Sequence, residues 1–167
     1  IVVFLRPLGL RLGPSLGIQA QLPILLAEYP FRTQQDIADY LHLLQDLPRY
    51  FSDLIALEQE KSRQGVFQND LAVDGIIRQC SAFLADADTP ESHLLHTVFQ
   101  NKLQASSLFS EAERNLCLQT HKKLLTSCVF PAYRSLSDAL SSLRGKGTQN
   151  AGGLSRQEDG LSYYAYL

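Results

Sequence analysis

The chain has 167 residues, 45% of them hydrophobic and 19% charged, with a formal net charge of −2. That is long enough to bury a real core, and the absence of a basic excess argues against a nucleic-acid partner. No run is long and apolar enough to span a bilayer, and the lack of methionine together with a start at Ile1 suggests a piece of a longer protein.

Residues 1–5 are apolar but are followed by Arg6, Pro7 and Gly9. They lack the flanks of a signal peptide and read as an edge strand or a piece of buried helix, with an anchor or signal further upstream left open. Gly13, Pro14, Gly17 and Pro23 punctuate the next stretch, which predicts a loop with at most short helical or extended pieces. An irregular, apolar, glycine-bearing segment on a helical body suits the wall of a cleft. Thr33, with Asp36 three residues later, forms a capping box for a helix whose Ile37, Tyr40, Leu41 and Leu44 repeat at helical spacing. Ile18, Leu22 and Leu25 are expected to cover the same core.

Asp46, Leu47 and Pro48 predict a break and a new helix with proline in its first turn. That helix turns Phe51, Leu54 and Ile55 inward and ends with Lys61, Arg63 and a Gly65 cap. Asn69 or Asp70 caps the next, with Val73, Ile76, Ile77, Cys80 and Leu84 on one face. After a polar loop at 86–89, Thr89, Pro90 and Glu91 predict another start, with Leu95, Val98 and Phe99 apolar and a finish near Ser106. Ser110 and Glu113 make a second capping box, opening the longest helix. Its stripe is Leu118, Leu125, Val129, Ala132, Leu136, Leu140 and Leu143, and Pro131 should kink it without ending it. A glycine-rich run at 145–153 stops it, and 161–167 reads as the first turns of a further helix. The expected fold is all-α, a bundle of about five or six helices including one long kinked helix, with irregular segments at both ends.

The side chains that could carry chemistry are sparse. His93 and His96 read as neighbours on one helix face, exposed or locally hydrogen-bonded; a zinc site needs a third ligand, an open position and a base, and no HExxH is present. His42 and His121 read as isolated. Cys80, Cys117 and Cys128 lack metal spacing and fall on apolar stripes, as buried free thiols do. Lys146 between two glycines does not make a phosphate loop, because no strand precedes it. The carboxylates read as solvated helix faces. Tyr163, Tyr164 and Tyr166 could line a subsite or simply pack.

Several short segments, in order along the chain, carry a resemblance: residues 17–29 (GIQAQLPILLAEY), 36–41 (DIADYL), 47–51 (LPRYF), 58–61 (EQEK), 131–133 (PAY), 152–154 (GGL) and 163–167 (YYAYL). Together the chain resembles part of a large bacterial family of long, uncharacterised, often exported proteins whose fold is similar to the helical zinc carboxypeptidases of the thermostable Taq type. The resemblance implies an all-α protein with a deep groove. It also implies zinc held by an HExxH-type motif, typically His-Glu-Ala-x-Pro-Gly-His-His, and a downstream Glu, none of which stands in this chain.

On that view residues 1–167 form one helical region at the N-terminal side of a larger peptidase-like protein. They supply scaffold and groove wall from 13–23 and 150–164, with Gln19, Gln21, Asn150, Gly152, Gly153, Tyr163 and Tyr164 as groove candidates. No cofactor is expected in this chain and zinc only in the full-length protein. The implied partners are the rest of its own polypeptide and a peptide substrate, and the implied location is extracytoplasmic or lipoprotein-anchored. The alternative is a non-catalytic helical binding module of the cell envelope.

Overall fold

The computed structural model describes residues 11–147, and these are all-helical with no strand among them. Helix α1 is Ile18–Glu28, α2 is Gln34–Arg63, α3 is Asp70–Phe83 and α4 is Leu94–Ala105. The chain then runs through α5 (Glu111–Leu124), a π-helical turn (Leu125–Val129) and α6 (Phe130–Leu143) as one continuous long helix. Helix α2 packs along α6 and the π turn, α3 lies on α6, and α4 bridges α1 and α5.

Local signals set most helix ends. Thr33 and Ser110 each accept from the backbone N–H three residues on, and Asp36 and Glu113 each accept from the cap residue's own N–H. Asn69 caps α3 by accepting from Ala72 N–H at 2.9 Å. Gly65, at φ 72°, turns the chain left-handed one residue past the α2 cap, a conformation that glycine adopts without a Cβ clash. The fourth start differs from expectation. Pro90 and Glu91 lie in turns, and α4 begins at Leu94 with His93 as its cap.

Prolines are where local reading fails. Pro23 lies inside α1, so residues 18–28 are helix where a loop was expected. Pro23 has no N–H to give the carbonyl of Gln19, four residues back. The Tyr133 hydroxyl supplies the missing donor, bonding Gln19 O at 2.9 Å in the buried core. Pro48 does not break the chain either: α2 is one helix of 30 residues. An interior proline costs about 3 kcal/mol, but Leu44, Leu47 and Phe51, all essentially fully buried around it, each contribute about 1.5–3 kcal/mol. Packing wins.

Pro131 follows the π turn, in which Phe130 N–H reaches back to Leu125 O, one residue further than α-helical bonding. Ser127 Oγ donates to Lys123 O at 2.8 Å and Thr126 Oγ1 to Lys122 O at 3.2 Å, so hydroxyls serve carbonyls along the widened segment. The helix continues across Pro131, about 50 Å in all with its kink, and Leu125, Val129, Ala132, Leu136, Leu140 and Leu143 keep their buried phase.

On α2 the buried stripe is Ile37, Tyr40, Leu44, Leu47, Phe51 and Leu54, with Leu43 on its flank; Leu41, expected among them, is only half-buried at the rim. Ile18 and Leu22 cover that core and Leu25 packs partly against it. The expected turns at 161–167 lie outside the described residues.

Candidate functional site

Helices α2, α4 and α5 converge on the largest group of buried polar side chains. Tyr40 Oη lies 3.2 Å from His121 Nε2, and His121 Nδ1 lies 3.0 Å from His96 Nδ1. His121 is fully enclosed, its ring stacked on Phe99 at 4.2 Å between centroids and on Tyr40 at 5.7 Å. Phe31 and Tyr29 extend the aromatic cluster around Tyr40. Lys102 donates to the carbonyls of Ala27 and Tyr29, the latter at 2.9 Å, and covers the Phe31 ring, so its cation closes the C-terminal end of α1.

This differs from the expectation for the histidines. His121 is not isolated, and His93 and His96 do not act as a pair. His93, capping α4, uses Nδ1 to accept from Leu95 N–H at 3.3 Å and places Nε2 3.0 Å from Phe83 O. Both are buried. Burial pushes the His121 imidazole down to about 3, helped by the nearby His96 and His93. His96 is lowered too, by burial first and then by Lys122 and His93, with Glu91 opposing. Burial raises the Tyr40 hydroxyl well above its ordinary value.

A second feature is an open groove of about 580 Å³ along α3, bordered by Pro14, Leu71, Ala72, Gly75, Arg78 and Gln79. Gly75 has a packing reason: a Cβ there would sit 2.9 Å from Pro14 Cβ. Beneath the groove edge Gln19 Nε2 donates to Gly13 O at 2.5 Å and to Gln79 Oε1 at 2.6 Å, and Gln79 Nε2 donates to Pro14 O at 2.6 Å. Gln19 is thus buried and fastens residues 13–14 to α3, while Gln21 is half-buried on α1. Asn150, Gly152, Gly153, Tyr163 and Tyr164 lie outside the described residues.

Two other groups depart from the sequence reading. Glu58 is buried, with Oε1 2.6 Å from Lys61 Nζ and Oε2 without a hydrogen-bond partner. Its signal was there to read, four residues after Leu54 on the α2 stripe. Cys80 is a buried free thiol whose pKa burial pushes up to about 12, whereas Cys117 and Cys128 are only half-buried. Among the described residues no group of three or more His, Cys, Asp or Glu side chains could hold a metal ion, and no helix is long and apolar enough to cross a membrane.

The fold and this cluster define an all-α body in which the three buried imidazoles, His93, His96 and His121, bond within the protein. The chain belongs to the family described as "Bacterial protein of unknown function (DUF885)", whose model matches residues 11–167. Among curated proteins none matches. The chain is similar in fold to a crystal structure of a "putative lipoprotein" from Colwellia psychrerythraea, with a TM-score of 0.81 and 18% identity. That match covers 93% of this chain and 26% of the other, so the chain spans about a quarter of that protein's length.

Proposed function

We propose that this chain is the N-terminal scaffold, and part of the groove wall, of a longer zinc-dependent metallopeptidase-like bacterial protein, and that hydrolysis is the work of residues outside it. The observation that carries this reading is the use of the buried imidazoles: His93 bonds Phe83 and Leu95, and His96 and His121 bond each other. Zinc hydrolysis needs three converging ligands, an open position and a positioned base. The described residues do not fit such an ion, and the ligands would come from the remainder of the polypeptide.

The match to about a quarter of a longer structure supports the existence of that remainder. Gln19 and Gln21 on α1, with Asn150, Gly152, Gly153, Tyr163 and Tyr164, are the groove-wall candidates. A peptide is the substrate in this reading, and the description of the similar structure as a "putative lipoprotein" supports an extracytoplasmic or lipoprotein-anchored location. The open, largely apolar groove along α3 favours a second reading, a non-catalytic helical module that binds a cell-envelope partner.

Metal analysis and carboxypeptidase assay of the 167-residue chain and of the full-length protein separate these readings. The proposal expects zinc and activity only in the full-length protein. Stoichiometric zinc in the short chain would overturn the scaffold assignment, and a metal-free, inactive full-length protein would favour the binding module.

A further inference from the structure

We propose that the Tyr40–His121–His96 chain is a pH-operated latch: with neutral imidazoles it ties α4 and α5 to α2, and acidification releases them. The contacts are Tyr40 Oη to His121 Nε2 at 3.2 Å and His121 Nδ1 to His96 Nδ1 at 3.0 Å. The inference stands apart from the peptidase reading.

Counting protons gives the chain a direction. Tyr40 is buried and keeps its hydroxyl hydrogen, for which His121 Nε2 is the acceptor at hand. His121 then carries its own proton on Nδ1 and donates it to His96 Nδ1, which leaves His96 protonated on Nε2. The reverse direction strands the Tyr40 hydrogen without an acceptor in an apolar cluster, at the cost of burying an unsatisfied donor.

A further proton has no good place. On His121 it must occupy Nε2, facing the Tyr40 hydroxyl. On His96 it must occupy Nδ1, setting two N–H groups against each other across the 3.0 Å contact. Moving every proton one step toward Tyr40 relieves that clash only by unpairing the hydroxyl. Each route either sets two donors against each other or leaves the Tyr40 hydroxyl hydrogen without an acceptor, and each buries a charge in an apolar cluster.

The surroundings do not rescue the charged form. From the connection between α3 and α4, Glu91 favours a proton on His96, but its carboxylate is exposed and already paired with Lys122 of α5. Lys122 and His93 both oppose protonation of His96. On α4, Lys102 is engaged by the carbonyls of Ala27 and Tyr29. Asp36 and Asp39 of α2 act on Tyr29, whose ring lies tilted against that of Tyr40 at 5.5 Å between centroids. The π turn contributes Leu125, which is apolar.

The sign follows from the depressed imidazoles. Between the unfolded value of 6.5 and the folded value of about 3 for His121, the unfolded chain binds more protons than the folded one. The contribution to stability is complete above pH 6.5 and is lost progressively as pH falls toward that lower value. Each imidazole kept neutral weakens the folding equilibrium about tenfold per pH unit in that window.

The test is urea unfolding of the 167-residue chain between pH about 7.5 and about 5, beside His121→Phe, whose ring can keep the stack on Phe99. His121 alone should cost the wild type about tenfold in its folding equilibrium constant per pH unit below 6.5, and the variant, without that share, should lose clearly less. Equal slopes would overturn the latch. Should the variant fail to fold, hydrogen exchange and imidazole NMR of the wild type decide the matter. The latch requires His121 to stay neutral until the amides of α4 and α5 lose protection, ahead of those of α2 and α6. A His121 that titrates near 6.5 in the intact fold, or protection that is insensitive to pH, would overturn it.

Discussion

Tyr40 and Tyr133 are equally buried, one at each of two packed regions, and both donate a hydroxyl hydrogen bond. Tyr133 sits in the region formed by α1, α2, α3 and α6, against Phe51 and Phe83, and bonds the carbonyl of Gln19. Tyr40 sits where α2 meets α4 and α5, against Phe99 and Phe31, and its partner is the His121 imidazole. A peptide carbonyl does not titrate in the working range; an imidazole does. Two sites with the same residue type, burial and bond therefore differ in one respect, the sensitivity of the partner to pH. Burial alone does not make a switch.

Truncating the aromatic wall of each region should break the comparison most visibly. Phe99→Ala and Phe51→Ala should each cost about 3–5 kcal/mol at neutral pH, because both rings are fully buried. They should part company on acidification. Without Phe99 the His121 ring gains water, so the pH slope of stability should flatten; without Phe51 it should keep the wild-type value. Denaturant unfolding of both variants at two pH values measures this, and parallel slopes would show that the aromatic stack does not set the His121 environment.

A smaller and more local effect is expected where Tyr133 meets Pro23. Tyr133→Phe should cost about 1–3 kcal/mol, since Gln19 O then has neither a helical donor nor a hydroxyl. Pro23→Ala returns an N–H four residues from that carbonyl. In the double variant the Tyr133→Phe cost should fall, leaving a coupling energy of about 0.5 kcal/mol or more in a double-mutant cycle. Strict additivity would mean that the hydroxyl serves packing and not the orphaned carbonyl. No such coupling is expected between Pro23 and Tyr40, whose hydroxyl bonds His121.

The same pair explains what could be read from the sequence. Both capping boxes and the Asn69 cap were legible because all their members lie within four residues. The helical passage through Pro23 was not, because the donor that repairs it comes from Tyr133, 114 residues from the Gln19 carbonyl it serves. His121 was missed for a related reason: its partners Tyr40 and His96 are 81 and 25 residues distant. A signal did exist. The long-helix stripe jumps from Leu118 to Leu125, and His121 stands three residues after one and four before the other, on the apolar phase. Glu58 follows Leu54 in the same way on α2. A polar residue that fills a gap in an apolar stripe is the sequence mark of a buried polar group, whereas its bonding partner is set only by the fold. Of the segment 13–23, Pro14 borders the open groove along α3, whereas Gln19 beneath it is turned into the body, holding residues 13 and 14 to Gln79, a placement that only the fold shows.

The smallest expected effect concerns the two capping boxes, which lie close together at the His121 side of the molecule. Gln34 Nε2, in the first turn of α2, donates to Leu108 O in the connection just before α5, at 2.8 Å. Thr33→Ala and Ser110→Ala each remove the acceptor for one exposed first-turn N–H, and each should cost about 1 kcal/mol. Thr33 opens a helix whose interior is pinned by Leu44, Leu47 and Phe51, so its loss should fray only the first turn. Ser110 opens α5, where His121 is the one fully buried residue before the π turn, so fraying there has less core to stop it. Hydrogen exchange should therefore speed up over a longer stretch of α5 in Ser110→Ala than of α2 in Thr33→Ala, and in neither around Tyr133. Fraying of equal extent in both variants would mean that α5 is held by more than its latch to Tyr40 and His96.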